Sequence, residues 1–174
     1  MKNIIKLSFF VVFILSSFDG SAQFNKRKKS KKDTHNFRYE IECNDTGARG
    51  TVAIKVFSYS KKPDIAIEAA KRNAVHGIIF KGFPRAGKCQ KKDPLARNPN
   101  LEQEYEEFFK EFFKDGGKYL KFVNASTDGA IEGGDISKIS KREYKIGINV
   151  SVNRSALEKD LISAKIIEGL GSRF

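Results

Sequence analysis

The sequence predicts an α+β domain, a single unit with a mostly antiparallel sheet and about three helices packed mainly on one of its faces. Three observations carry that expectation. FRYEIECN (37–44) and REYKIGINVSV (142–152) alternate apolar and polar residues, the period of a half-buried strand. Two segments between them repeat apolar residues at helical spacing, PDIAIEAAKRNAVHGIIF (63–80) and LEQEYEEFFKEFFKDGG (101–117). A third helical segment, RSALEKDLISA (154–164), follows the last strand.

The first residues belong to targeting rather than to the fold. Lys2 and Lys6 precede an apolar run over 7–15 that only Ser8 interrupts, and Gly20 and Ala22 stand at the −3 and −1 positions of a signal peptidase site. This pattern predicts a cleaved secretory signal peptide over 1–22. The run is well short of the ~20 residues that span a bilayer. About 150 of the 174 residues then remain, enough for one core.

The formal charge of +12 is unevenly placed. Setting aside Lys2, Lys6 and Asp19 leaves +11, and six of those charges are Lys26, Arg27, Lys28, Lys29, Lys31 and Lys32. The chain from Asp33 onward therefore keeps only about +5. The block has no apolar periodicity, so residues 23–36 are expected to be a basic, disordered arm ahead of a domain over 37–174. Its cations are candidates for contact with an acidic surface polymer, lipopolysaccharide or the face of an anionic membrane. Nucleic acid is disfavoured, because the charge sits on a tail that carries no aromatic side chain to stack on bases.

Along the folded part, the first strand directs Phe37, Tyr39, Ile41 and Cys43 to one face. Asp45 to Gly50 supplies turn chemistry, and TVAIKVFSYS (51–60) reads as an antiparallel partner. Pro63 opens the first helix, whose stripe of Ile67, Ala70, Ala74 and Ile78 would let it lie close to a sheet; Gly82 ends it. Residues 81–98 form a long basic connection. Leu101, Tyr105, Phe108, Phe109, Phe112 and Phe113 then predict one amphipathic helix stopped by Gly116. Residues 118–124 read as a strand and 127–134 as a turn or irregular hairpin. Asn153 or Ser155 caps the last helix, with Ser155 and Glu158 at capping-box spacing.

Few residues suggest chemistry. Cys43 and Cys89 are the only cysteines, and in an oxidising compartment a single disulfide is favoured over two buried thiols. GFPRAGKC (82–89) has the glycine and lysine spacing of a phosphate-binding loop, but Cys89 replaces the hydroxyl that would ligate Mg²⁺. The loop also follows a helical stripe and precedes two prolines, so no nucleotide or other cofactor is expected. His35 and His76 stand alone, without metal-ligand spacing. The acidic residues of 101–117 read as a solvated helix face.

The strand pair, the helix AIEAAKRNAV and the late run YKIGINVSVNRSALEKDL are together similar to a group of bacterial envelope domains. The group comprises the N-terminal domain of the flagellar assembly protein FlgT and related small outer-membrane-associated lipoproteins. The resemblance covers about residues 37–164. This chain departs from it by lacking a lipobox cysteine and by inserting the basic loop at 81–98. It implies an envelope scaffold or assembly accessory, and no catalytic residue carries over.

The sequence thus predicts a non-enzymatic secreted or periplasmic protein, acting as a binding or assembly accessory toward an envelope protein or acidic polymer. The alternative is a secreted hydrolase-type enzyme, or a basic effector or inhibitor, with a site that sequence motifs do not reveal.

Overall fold

The computed structural model describes residues 37–45, 47–86, 89–125 and 135–169, and its first two strands form the hairpin that alternation predicts. β1 (Tyr39–Asp45) and β2 (Val52–Ser60) pair antiparallel, with Tyr39 opposite Ser58 and Cys43 opposite Ile54. The faces of β2, ambiguous in sequence, separate cleanly. Val52, Ile54, Val56, Ser58 and Ser60 are buried, while Ala53, Lys55, Phe57 and Tyr59 are half-buried on the other side.

α1 (Pro63–Phe80) starts on a proline, whose missing N–H costs nothing in a first turn. Ala66, Ala70 and Ala74 are completely buried, so the helix backbone lies close to the sheet. Gly77 permits the same approach: a Cβ there would stand 2.0 Å from Ile41 Cδ1. The opposite side of α1 is covered by aromatic rings, with Phe80 5.0 Å from Phe109 and His76 5.7 Å from Phe113. The helix is therefore sandwiched, and Arg72, Asn73 and His76 are buried on it, each with at least one polar partner. Asn73 Nδ2 donates to Ser58 Oγ at 2.9 Å, and Arg72, only 3% exposed, meets Asp115 at 2.6 Å.

Gly82 (φ +63°) ends α1 as expected, with its N–H and that of Lys81 both donating to the Gly77 carbonyl. The next two orphan carbonyls, of Ile78 and Ile79, accept from Leu95 and Ala96 N–H at 3.1 and 2.8 Å. The basic connection is thus hydrogen-bonded to the helix end it leaves.

The aromatic helix differs from expectation. It divides at Tyr105 (φ −116°, ψ 37°) into α2 (Leu101–Glu104) and α3 (Glu106–Phe112). Hydrogen bonds from Tyr105 N to Leu101 O and from Phe109 N to Tyr105 O survive across the break, which is a bend rather than a gap. Leu101, Phe109, Phe112 and Phe113 are buried, whereas Tyr105 leaves the stripe and is 38% exposed.

The strand expected over 118–124 is also corrected. Lys118–Phe122 is a 3-10 helix, and only β3 (Val123–Ala125) is extended. Tyr119 and Phe122 are both buried; three residues per turn puts them on one side, where a strand would oppose them. The hairpin expected at 127–134 lies outside the described residues.

β4 (Ile136–Ser140) and β5 (Glu143–Val152) complete a five-stranded antiparallel sheet of order β1-β2-β5-β3, with β4 also on β5. β2 runs along one whole side of β5, while β3 and β4 share the other, opposite Val150 to Val152 and Glu143 to Ile146 respectively. α4 (Arg154–Ser163) follows, capped by Asn153, whose Oδ1 accepts from Ala156 N at 3.0 Å; the Ser155 alternative is not used.

The core lies between the inner sheet face and the helices. Ile54, Ile78, Ile79, Ile146, Ile148, Leu157 and Leu161 are completely buried, each worth about 1.5–3 kcal/mol. Among the described residues the opposite sheet face carries side-chain pairs such as Lys55 with Asp135, and no described helix is long and apolar enough to cross a membrane.

Candidate functional site

The two cysteines singled out from sequence are bonded. Cys43 lies on β1 and Cys89 in the loop after α1, with Cα atoms 6.1 Å apart across a separation of 46 residues. Around Cys89 the loop folds into a small antiparallel ladder, with Phe83 facing Lys92 and Ala86 facing Cys89. The elements flanking GFPRAGKC are therefore the reverse of a phosphate loop's: a helix precedes it and extended chain follows. Gly87 and Lys88 lie outside the described residues, as does the whole cluster of Lys26, Arg27, Lys28, Lys29, Lys31 and Lys32.

An array that sequence reading missed lies under the start of β1. Tyr39 Oη is 2.6 Å from His76 Nδ1, and His76 Nε2 is 3.2 and 3.3 Å from the two Glu102 oxygens. A carboxylate only accepts, so Nε2 carries the proton and Nδ1 accepts from the phenol. Phe37 stacks on the imidazole at 3.7 Å, and Lys81 Nζ sits 4.0 Å from the Tyr39 ring centre. Burial holds the imidazole below its ordinary range against the raising effect of Glu102, and burial pushes the Tyr39 phenol up.

This array has the order of a base and its orienter, yet the group on Nδ1 is a buried phenol that keeps its proton strongly. It works as a lock between β1, α1 and α2. Residues 39, 76 and 102 are far apart and match no spacing rule, so no signal in the sequence announces it. Among the described residues no cluster of three or more histidines, cysteines or carboxylates could hold a metal.

The surface charges of the outer sheet face are mostly paired. Lys55 meets Asp135 at 2.9 Å, Arg38 meets Glu143 at 3.1 Å, and Lys145 meets Glu40, which also accepts from the Tyr59 hydroxyl. These bonds hold the Glu40 carboxyl below its usual range. A separate groove of about 650 Å³ lies between Leu95, Leu101, Tyr105 and Ile166, rimmed by Arg97, Lys165 and Glu168.

The sheet's edge at β4 differs from both. All five residues of ISKIS are exposed, including Ile136 (41%) and Ile139 (47%). β4 pairs with β5 on one side, and no described strand covers its other side. Lys138, Lys141 and Arg142 enter no ion pair with the described residues, and the adjoining Glu143 is held by Arg38. A strand edge that no described strand pairs, with cations in no ion pair among the described residues and two exposed isoleucines, is chemically equipped to receive extended polypeptide.

Fold and edge together define a disulfide-braced α+β domain with an open basic strand. No family model, curated protein or solved structure matches the chain.

Proposed function

We propose that this protein is an exported, non-enzymatic binding module, an accessory to assembly in the cell envelope. The observation that carries the reading is β4, an exposed edge strand with two isoleucines open to solvent. Such an edge is a liability unless it has a use, because its unpaired backbone groups template pairing with other chains. The Cys43–Cys89 bond supports an oxidising compartment, periplasmic or extracellular, after removal of residues 1–22.

In this reading the folded domain engages a partner protein, and the basic arm at 26–32 adds contact with an acidic polymer or anionic membrane surface. The resemblance of the sequence layout to the FlgT N-terminal domain group implies the same role. The test is affinity capture of the disulfide-bonded protein in envelope extracts, with chemical cross-linking. A stoichiometric envelope protein is the expected result, and its absence would overturn the proposal. Salt-dependent binding to anionic vesicles and to DNA, with and without residues 23–33, separates the roles of the arm.

A further inference from the structure

Resting on that reading, we infer that β4 receives an extended, acidic segment of the partner, which joins the sheet as a further strand. Among the described strands, β2 and β5 are each paired on both sides, whereas β4 is paired on one side only. On the far edge of the sheet, β1 is tied at Cys43 to the loop carrying Cys89. The pairing of β4 with β5 is irregular between Lys138 and Ser140, yet three register pairs, Ile136 with Ile146 through Lys138 with Tyr144, are regular. That regular part is a usable template.

Charge selects the occupant. Residues 136–142, ISKISKR, carry three cations and no carboxylate. A second copy would set like charges directly opposite each other, which disfavours pairing. An acidic strand meets the same cations favourably. The lysine that protects this edge from its own kind therefore recruits a strand of the opposite sign.

The faces set the pattern of the partner. Ile136 and Lys138 lie opposite Ile146 and Tyr144, so both point to the helix-bearing face, while Ser137 points to the outer face. An apolar residue next to Ile136 and an acidic one two positions along, next to Lys138, satisfies both neighbours. The expected segment has no proline, and apolar and acidic residues take turns at every second position along it.

The experiment uses the whole disulfide-bonded protein and three octapeptides of the repeat Val–Thr–X–Thr, with X as Glu, Ser or Lys, here called the Val–Glu, Val–Ser and Val–Lys peptides. Amide hydrogen exchange over 136–140 reports on pairing at β4. The Val–Glu peptide is expected to slow exchange there and to bind at least about tenfold more weakly when salt rises from about 0.05 to 0.5 M. Lys138→Glu should abolish its binding. Successive N–H groups of a strand point to opposite edges, so one of Ser137→Pro and Lys138→Pro removes an outward donor and leaves the β5 ladder intact. That variant should fold with a near-native melting temperature and lose the peptide.

Equal binding of all three peptides, or no binding of Val–Glu, would overturn the inference. So would outward-pointing β4 amides already protected in the free protein, which would mean that the edge is occupied by its own chain. A concentration-dependent dimer through β4 would do the same. Envelope capture then separates the two levels of argument. A partner retained by the folded proline variant refutes the edge while leaving the module reading intact. No partner for the wild-type protein, with Val–Glu still bound at β4, refutes the module reading and leaves the edge's chemistry standing.

Discussion

The phenol of Tyr39 donates a 2.6 Å hydrogen bond to Nδ1 of His76, joining the first strand to the central helix across 37 positions of sequence. Glu102 accepts from the other ring nitrogen, so a single imidazole links β1, α1 and α2. In this neutral tautomer both ring nitrogens have a partner. A second proton would make Nδ1 a donor, so the Tyr39 hydroxyl would have to turn its own hydrogen away and accept instead.

A pH dependence follows from this geometry. His76 is held below its ordinary range, chiefly by burial, so below about pH 6.5 the unfolded chain binds a proton that the folded one resists. The stability is fully present above that window and declines as pH falls through it. Urea unfolding at about pH 7.5 and 5 should show the loss, with a slope from this group of at most about 1.4 kcal/mol per pH unit. His76→Gln should lower stability at the higher pH and flatten the dependence. A wild-type slope in that variant would assign the effect to another group.

The disulfide closes a loop of 46 residues. Chain-entropy arithmetic gives it about 4 kcal/mol of stability. Reduction, or the double variant Cys43→Ser/Cys89→Ser, should lower the unfolding free energy by roughly that amount. Peptide mapping without reductant should recover the two cysteines in one cross-linked fragment.

Gly82 is constrained twice. Its φ is +63°, and a Cβ would lie 2.2 Å from the Lys92 carbonyl oxygen and 2.9 Å from Pro94 N, both backbone atoms. Gly82→Ala should cost about 2–4 kcal/mol. Gly116 shares the left-handed conformation (φ +74°) but faces open space, so Gly116→Ala should cost only about 1–2 kcal/mol. Equal losses in thermal unfolding would show that conformation alone, and not the Lys92 backbone, sets the penalty.

Lys165 offers the opposite case. It holds φ at +57° where α4 ends, in the position glycine usually takes, with Ile166 N–H donating to Leu161 O across the turn. Lys165→Gly relieves the left-handed strain and should raise stability by up to about 1 kcal/mol. An unchanged or lowered melting temperature would contradict this account.

The candidate site was only partly legible. The cysteine pair could be read because two thiols allow one pairing, whereas ISKIS is too short and too mixed to separate an edge strand from a turn. Whether a strand is an edge depends on the order of strands, and no residue within it records that order.

The sequence by itself determined what local chemistry controls. Alternation at 37–44 and 142–152 produced β1 and β5, Pro63 and Gly82 bounded α1, and Asn153 capped α4. Tertiary packing alone decided the bend at Tyr105, the 3-10 turn that buries Tyr119 with Phe122, the turning of Glu102 toward His76, and the exposure of β4. The division has one physical cause. Periodicity, caps and turn residues act within a few positions, but the identity of the surface that an apolar or charged side chain meets is set by elements distant in sequence.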